Sequence, residues 1–492
     1  MQAGGAAEES AEYTPDPRRW KALAVCLVAG FMSLLDVSIV NVALPSIKVG
    51  LHGTQSDLQW VVSGYALTFG LVLVPSGRFG DARGRRNVFI LGVAVFALAS
   101  AGCGISPNAM LLIITRLIQG LAAGLLIPQV SGLIQQLFRG AERGRAFGLL
   151  GATIGISTAV GPLLGGVLIA IFGEREGWRY VFYVNVPIGA LAILLAYRLI
   201  PARRPEQRRR QHLDPVGVIL LGLGVVLLLL PLAEEQEWRG QAKWLLVVAA
   251  VGVFVAFIFW ERRYGRSRDS LINLELFRRR SYALGLLIGL IYLAGFTATF
   301  FVFTLFLQQG KHYSALEAGV AVTPFAAGSA VSAALAGRVI TKLGRPLVAA
   351  GLAMVALGVG GAVVAVHLVP GRGVGFATAA PLLLAGVGSG AVISPNLTLT
   401  LSEVPVREAG SAGGVLQTFQ RIGSAIGIAT VGSVFFATVA STHNDYSSAF
   451  QRAVLLSVAF DVVALCAALV DVFAGRAENA RQRRADRAGR HA

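Results

Sequence analysis

The chain has 492 residues, of which 55% are hydrophobic and 14% charged, and its mean hydropathy is +0.67. A soluble protein carries about 25% charged residues, so this composition excludes an ordinary water-soluble domain and indicates lipid as the main solvent. The net charge of +17 would suit a nucleic-acid partner. No such partner is expected, because the basic residues are dispersed over short loops where they have a topological role.

Fourteen apolar runs are long enough to cross a bilayer as helices, since about 20 apolar residues span its hydrocarbon core. The fold class predicted is therefore an all-α polytopic membrane protein. The runs lie near residues 21–44, 57–76, 88–105, 109–136, 146–172, 179–199, 215–233, 244–260, 282–308, 315–336, 347–369, 376–400, 409–439 and 450–474. The cysteines, Cys26, Cys103 and Cys466, lie within these runs, so no disulfide framework is expected.

Arginines accumulate in alternate loops, which predicts an orientation through the positive-inside rule. The turns at 106–108 and 441–445 contain neither Lys nor Arg. Both termini are therefore predicted to be cytoplasmic, and the acidic start of the chain, unlike a signal peptide, predicts an uncleaved first helix. The loops placed in the cytoplasm contain Arg83, Arg85, Arg86, Arg139, Arg143, Arg145, Arg203, Arg204, Arg208, Arg209, Arg210, Arg262, Arg263, Arg266, Arg268, Arg278, Arg279 and Arg280.

The turn Gly77–Arg86 returns in degraded form at Gly337–Arg345, an offset of 260 residues. The same shift carries the first five runs onto runs nine to thirteen, fits the sixth to the fourteenth less well, and leaves runs seven and eight without counterparts. This pattern predicts two six-helix bundles related by a pseudo-two-fold axis, plus an inserted two-helix hairpin. Duplicated bundles of this kind are typical of secondary transporters, with the substrate path at the repeat interface.

The predicted organisation has seven parts. In chain order they are a cytoplasmic tail 1–20, a first six-helix bundle 21–200, a basic linker 201–213, a two-helix insert 214–260, a basic linker 261–280, a second six-helix bundle 281–474 and a basic cytoplasmic tail 475–492.

Two opposite charges lie at membrane depth, where charged side chains are costly and usually functional. Asp36 lies about 22 Å from the cytoplasmic start of its run, and Arg116 about 20 Å above the same face. The two therefore lie at one level and an ion pair is sterically possible. We interpret Asp36 as a carboxylate that gains and loses the transported proton, with Arg116 biasing its charge state. The alternative is a static, hydrogen-bonded aspartate.

Further polar residues in the runs are candidates for a substrate path. Arg421 lies 12 residues into its run, so it must face a cavity or a partner, and its positive charge would suit an anionic group or another carboxylate. It is a candidate for contact with the substrate or the gate, and the alternative is a structural partner within the bundle. Asp461 is equally deep, on a final helix that is peripheral in such bundles. The amides are Asn41, Gln119, Gln129, Asn185, Asn396 and Gln417, and each of them singly is more often an interhelical hydrogen bond.

The fifth run contains closely spaced glycines around Pro162, namely Gly161, Gly165 and Gly166. Small residues allow helices to approach closely, and proline removes a backbone donor and bends the helix. We predict a gating helix, against the alternative of an ordinary small-residue interface. Gly77, Asp81 and Arg85 in the repeated turn are the other gating candidates.

No phosphate-binding loop and no Cys/His spacing typical of a metal site occur in the sequence. We therefore expect neither ATP, nor a cofactor, nor a metal, and no enzymatic activity.

Several segments together resemble the major facilitator superfamily, and more narrowly its fourteen-helix drug:proton antiporter-2 family of the EmrB/QacA type. Two departures occur: Ala82 stands where the turn signature has a basic residue, and Thr341 replaces the aspartate in the downstream copy. The Ala82 departure is expected to weaken a contact that this turn makes on the cytoplasmic side. Arg83 and Arg85 are expected to compensate in part. The segments that carry the resemblance are Asp36–Pro45, Leu58–Val62, Gly77–Arg86, Arg116–Gly120, Gly161–Gly166 and Trp178–Pro187.

The resemblance implies a monomeric antiporter in the lipid bilayer of the bacterial cytoplasmic membrane, which exchanges protons for an amphipathic or cationic drug by alternating access. It also implies proton-coupling roles for Asp36 and Arg116. Because Asp36 and Asp461 are the only deep acids, monocations or neutral lipophiles are favoured over dications. The alternatives are an exporter of a self-made antibiotic or metabolite, a proton-coupled uptake symporter, and a membrane sensor or scaffold without transport.

Overall fold

The computed structural model describes residues 15–202, 214–233, 238, 240–265, 270–369 and 371–488. Within these ranges the regular structure is helical, and fourteen helical segments are long and apolar enough to cross a membrane. They are α1 (Arg19–Leu51), α2 (Ser56–Arg83), α3 (Arg85–Ile105), α4 (Ala109–Leu137), α5 (Gly140–Phe172), α6 (Gly177–Leu199), α7 (Pro215–Leu232), α8 (Gln241–Tyr264), α9 (Arg280–Gly310), α10 (Leu316–Leu343), α11 (Arg345–Leu368), α12 (Ala379–Thr400), α13 (Val406–Ser441) and α14 (Tyr446–Gly475). The predicted number of spans is therefore confirmed.

The duplication is visible in how helices begin and end. The start of α2 is a capping box between Thr54 and Asp57, and the start of α10 is the same device between Ser314 and Glu317. In each, a hydroxyl accepts from a backbone N–H while the acid accepts from the cap N–H, so two unpaired donors are satisfied. The two boxes are 260 residues apart, which is the offset of the repeated turn.

The repeated turn itself contains one glycine between two helices. Gly84 separates α2 from α3 at φ +101°, and Gly344 separates α10 from α11 at φ +58°. Glycine enters this region of backbone space without the Cβ clash that other residues meet. The chain can therefore reverse direction within a single residue, at equivalent places in both halves.

The helices pack as two bundles, α1–α6 and α9–α14, which meet along two interfaces. One interface joins α2 to α13, and the other joins α5 to α10. The insert, α7 and α8, packs on itself and lies against α2 and α13. The predicted arrangement of six, two and six helices is thus present.

Several predicted bounds differ from those observed. Helix α8 ends at Tyr264, not 260, because its last turn is amphipathic and the apolar run stops earlier. The last helix continues to Ala488, through most of the segment predicted as a tail from 475. Helix α6 breaks at Val184 into two pieces. Most of the first tail (1–14), most of the first linker (203–213) and residues 266–269 of the second linker lie outside the described residues.

We call the end of the molecule that holds the Gly84 and Gly344 turns the basic end. There the hydrophobic core of the first bundle takes in residues of the second, including Leu286, Leu401 and Leu416. Tyr282 of α9 also belongs to this core, and within the second bundle it donates a hydrogen bond to the carbonyl of Ala412 in α13, at 3.0 Å. A second core, made entirely of residues between 288 and 472, lies within α9–α14. The two halves therefore share a packed core at the basic end.

Candidate functional site

Asp36 and Arg116 form a buried ion pair between α1 and α4. Arg116 Nη1 lies 2.6 Å from Asp36 Oδ2, and the side chains are 2% and 0% exposed respectively. The expected match in depth is confirmed by this contact. A charge at this depth requires such a partner, because lipid provides no hydration.

Two amides complete the shell around the carboxylate. Gln119 Nε2 donates to Asp36 Oδ1 at 2.9 Å, and Asn185 Nδ2 donates to the same oxygen at 3.1 Å. Gln119 also donates to Ser100 Oγ at 2.6 Å. Arg116, Gln119 and Asn185 all donate to an acceptor-only carboxylate, so a proton added to Asp36 removes the charge that these donors bind and weakens their hydrogen bonds. Protonation and local rearrangement are therefore linked.

Arg116 is held from several sides. Its Nη1 also donates to Gln119 Oε1 at 2.8 Å, and its Nε donates to the carbonyl of Val61 at 2.9 Å. The guanidinium lies 4.1 Å from the ring centre of Tyr65 and 5.9 Å from that of Phe182, within the range of cation–π attraction. Tyr65, Ser100 and Phe182 were not predicted, because neither an aromatic ring nor a hydroxyl at these positions stands out from an ordinary core.

A small cavity of about 50 Å³ lies between the halves, where α1, α2 and α4 face α13. It is much smaller than the roughly 300–1,000 Å³ of a drug-sized site, so this conformation does not hold a drug. Arg116 lines the cavity, and Asp36 is not among its lining residues. The lining residues are Val37, Val40, Asn41, Val62, Tyr65, Ala66, Phe69, Arg116 and Arg421.

Two predicted path residues, Asn41 and Arg421, reach this cavity. Arg421 extends from α13 of the second half, and its guanidinium lies 4.4 Å from the ring centre of Phe69 in α2. Gln417 is half-buried one turn before Arg421 on α13. The cavity therefore combines residues of both repeats.

The other path candidates do not line this cavity. Gln119 belongs to the Asp36 shell. Gln129 donates to the carbonyl of Ser76 at 2.9 Å, and Asn396 donates to that of Gly285 at 2.9 Å. Asp461 is 1% exposed on α14. The amides at 129 and 396 hold helices together through backbone carbonyls, which is how isolated polar side chains are usually satisfied in lipid.

The glycines around Pro162 place α5 between two helices. A Cβ at Gly165 would lie 3.0 Å from Ile39 on α1, close to Asp36 in sequence. Pro162 itself lies within α5 and would meet a Cβ at Gly319 of α10 at 3.0 Å. Gly161 faces Ser38 of α1. Because α5 touches the Asp36 helix on one side and the opposite half on the other, it can transmit movement between them.

The repeated turn of the first half contacts the second half directly. Asp81 Oδ1 accepts from Arg85 Nη2 at 2.6 Å, and its carboxylate also accepts from the backbone N–H groups of Gly410 and Ser411 at 3.2 and 3.0 Å. These amides lie in the first turn of α13, where a negative charge is stabilised by the helix dipole. Arg85 also donates to the carbonyl of Val406. Gly77 allows this approach, since a Cβ there would collide with Gly410.

A second cavity of about 450 Å³ at the basic end was not anticipated. Glu261 and Asn273, which lie within the second linker, line it together with Glu408 at the start of α13. Asn273 Nδ2 donates to Glu408 Oε2 at 3.1 Å, and Glu261 Oε1 accepts from the N–H of Leu271 at 3.1 Å. The sequence feature that could have indicated this cavity is an acidic residue, Glu261, within an arginine-rich linker. The insert is thereby tied to the end of α13 that Asp81 contacts.

Comparison with known families agrees with this architecture. The family model described as Major Facilitator Superfamily matches residues 26–428. The chain belongs to the major facilitator superfamily. Its fourteen spans fit the drug:proton antiporter-2 branch, and it is a multi-pass membrane protein.

Similar proteins include three from streptomycetes. The "Probable actinorhodin transporter" of Streptomyces coelicolor is 36% identical over 87% of this chain and 74% of its own length. The puromycin resistance protein pur8 of Streptomyces alboniger is 34% identical over 90% and 86%. The tetracenomycin C resistance and export protein of Streptomyces glaucescens is 31% identical over 87% and 78%.

The fold is also that of a solved transporter. The crystal structure of the human organic anion transporter MFSD10 matches with a TM-score of 0.66, covering 92% of this chain and 100% of that one. The sequences are 16% identical, so the match concerns the fold alone.

Proposed function

We propose that this protein exports a drug-like or antibiotic small molecule across a bacterial cytoplasmic membrane in exchange for protons. The observation that carries the proposal is the buried Asp36–Arg116 pair, of which Arg116 also lines the cavity between the halves. The names of the relatives, which concern resistance, transport and export, support the cargo class and the direction.

Proton coupling would work through Arg116. A protonated Asp36 offers the guanidinium no full negative charge, so the ion pair and the hydrogen bonds around it loosen. Because Arg116 lines the cavity, the shape and charge of the cavity change with the protonation state of Asp36. Cargo and proton are thus linked without touching the same atom.

The proposed orientation places the basic end in the cytoplasm, with both termini, by the positive-inside rule. The contact of Asp81 with α13 then closes the cytoplasmic side in this conformation. Opening this contact, while the opposite end closes, would expose the cavity to cytoplasmic cargo. We propose a monomer driven by the proton gradient alone.

The decisive experiment compares Asp36→Asn with wild type in proteoliposomes. We expect proton-driven accumulation of cargo to be lost, while counterflow of labelled cargo persists, because Asn keeps the size of the side chain but cannot carry a proton. Glu176→Gln serves as the control. Its carboxylate is 61% exposed in a surface pair with Arg179, and such pairs contribute about 0–1 kcal/mol.

Undiminished proton-driven transport by Asp36→Asn would reject the proposed coupling. Absence of counterflow in wild type would indicate a sensor instead of a transporter. Flux of cargo in the same direction as the proton under an imposed pH gradient would indicate a symporter.

A further inference from the structure

We propose that the cargo carries an acidic group, which Arg421 binds, on a flat unsaturated body. This inference rests on the proposed function and identifies the chemical class of the exported compound. It replaces the expectation of a cationic compound.

Arg421 and Arg116 differ in the number of hydrogen-bond and ion-pair partners that their guanidinium groups have. Arg116 is bound to Asp36, Gln119 and the carbonyl of Val61. Arg421 makes no hydrogen bond or ion pair with any described residue, and its one contact of note is the stacking on Phe69. A guanidinium in a membrane interior normally has an anionic or carbonyl partner. The donors of Arg421 therefore remain available to a ligand.

The charge of the cavity points the same way. Two of its nine lining residues are arginines, and none is an aspartate or a glutamate. The one carboxylate nearby, Asp36, lies behind Arg116 and is already bound by three donors. A cationic compound would meet an unshielded positive charge in a medium of low dielectric, where such repulsion is strong. An anionic group would be attracted.

The wall of the cavity indicates the shape of the bound compound. Tyr65 and Phe69 present their rings nearly parallel, 6.1 Å between centres and 19° between planes. Each ring carries one guanidinium, Arg116 on Tyr65 and Arg421 on Phe69. A guanidinium stacked on a ring keeps its planar fork of donors free at the edge, which suits bidentate binding of a carboxylate. A flat ring system can lie along the aromatic wall while its acid meets the fork.

Arg421 also comes from the opposite half of the repeat. The 260-residue offset places Gly161 at its counterpart, so the first half offers no equivalent cation. An acid bound to Arg421 with its body on α1 and α2 would therefore connect the two halves. Binding of the cargo is thereby coupled to their relative movement.

The test uses two probes with one xanthene skeleton and opposite charge, anionic fluorescein and cationic rhodamine 123. Binding to the purified full chain is measured by fluorescence anisotropy without a gradient, and export is then measured from proteoliposomes. We expect wild type to bind and export fluorescein in preference to rhodamine 123. Arg421→Gln should lose about ten- to a hundredfold in affinity for fluorescein, the usual effect of removing a charged hydrogen-bond partner.

Two further variants guard against a merely structural effect. Arg421→Lys keeps the charge without the planar fork, so it should recover part of the fluorescein binding. Arg452→Gln, on the exposed face of α14, removes an arginine away from the cavity and should bind fluorescein like wild type. Size-exclusion profiles check that each variant is folded.

Membrane voltage provides an independent readout. At any fixed number of protons, exchange for an outward anion moves at least two more charges than exchange for a monovalent cation. An inside-negative potential should therefore accelerate export of fluorescein by wild type more than export of rhodamine 123.

Chloride would also satisfy a lone guanidinium, so each assay is repeated with gluconate in its place. Equal fluorescein affinity in both media supports an organic acid as the ligand. The proposal is overturned if Arg421→Gln abolishes a chloride dependence alone, if wild type prefers rhodamine 123, or if Arg421→Gln binds fluorescein normally. Fluorescein binding is measured without a proton gradient. The outcome for Arg421 therefore does not depend on whether the Asp36→Asn test supports proton coupling.

Discussion

The two interfaces between the halves are related by the repeat but are held together differently. The α2–α13 interface is closed at the basic end by the carboxylate of Asp81 on the amides of α13. The α5–α10 interface is closed by small residues, with Gly144 and Gly148 against Gly337. It remains tight along the helices as far as Gly155, where a Cβ would lie 3.1 Å from the backbone nitrogen of Ala330. One interface therefore has a breakable electrostatic contact, whereas the other relies on close packing.

The second copy of the turn shows why the charge lies on one side only. Thr341 stands where Asp81 stands in the first copy, so Arg345, the counterpart of Arg85, has no acid in its own turn. Its Nε lies 2.7 Å from Asp471 Oδ2 in α14, and its Nη2 donates to the carbonyl of Ser281. These contacts stay within the second bundle. The first copy of the turn therefore joins the two halves, whereas the second copy stabilises the second half alone.

The largest effect is expected at the contact of the first copy with α13, from Asp81→Ala. Removing one partner of a buried pair costs about 3–5 kcal/mol because the other charge is left uncompensated. We expect the basic end to open and a reporter cysteine in place of Ala412, in a background without native cysteines, to react with an impermeant maleimide. Glu142→Ala, which removes a partly exposed pair with Arg19 at the same end, is the control. Equal protection of the reporter in both variants would contradict the closing role of Asp81.

A smaller effect of another kind is expected at the packed interface, from Gly148→Val. A Cβ at this position would lie 2.9 Å from the carbonyl of Ala333, and overpacking costs about 1–3 kcal/mol. We expect a lower melting temperature without increased labelling at position 412. Gly252→Val is the matched control, since a Cβ there meets nothing within 4 Å. Strong labelling of Gly148→Val would mean that both interfaces act as gates.

The smallest effect concerns the insert, through Asn273→Ala. Its hydrogen bond to Glu408 ties the second linker to the start of α13, and one such bond contributes about 0.5–1.5 kcal/mol. We expect maleimide labelling at position 412 to rise slightly, well below the level of Asp81→Ala. Asn108→Ala, which removes a cap at the opposite end, should leave the labelling rate unchanged. A labelling rate for Asn273→Ala identical to that of wild type would show that this contact of the insert does not affect opening of the basic end.

Some of the site was predictable because helix rise converts sequence position into depth. Asp36 and Arg116 were placed at one level from their distance to the ends of their runs, and they are in contact. Gln119 and Asn185 could not be assigned to the Asp36 shell in this way. Whether they point to Asp36 or to lipid depends on the rotation of each helix about its axis, and that is set by packing.

The amides predicted for the path illustrate the same limit. Asn41 lines the cavity, whereas Gln129 and Asn396 donate to carbonyls of neighbouring helices. All three are polar residues in apolar runs, and their sequence contexts are alike. Their neighbours differ, and neighbours are a property of the packed bundle.

The sequence by itself determined the number of spans, the duplication, the unpaired insert and the depth of the intramembrane charges. These follow from hydrophobic length and from a repeat, which are local or periodic properties of the chain. Tertiary structure alone decided that Asp81 meets α13, that Arg345 turns to Asp471, and that Arg421 faces a cavity without acids. Each of these depends on which helix faces touch across hundreds of residues, and in lipid those contacts are selected by close packing and polar pairing.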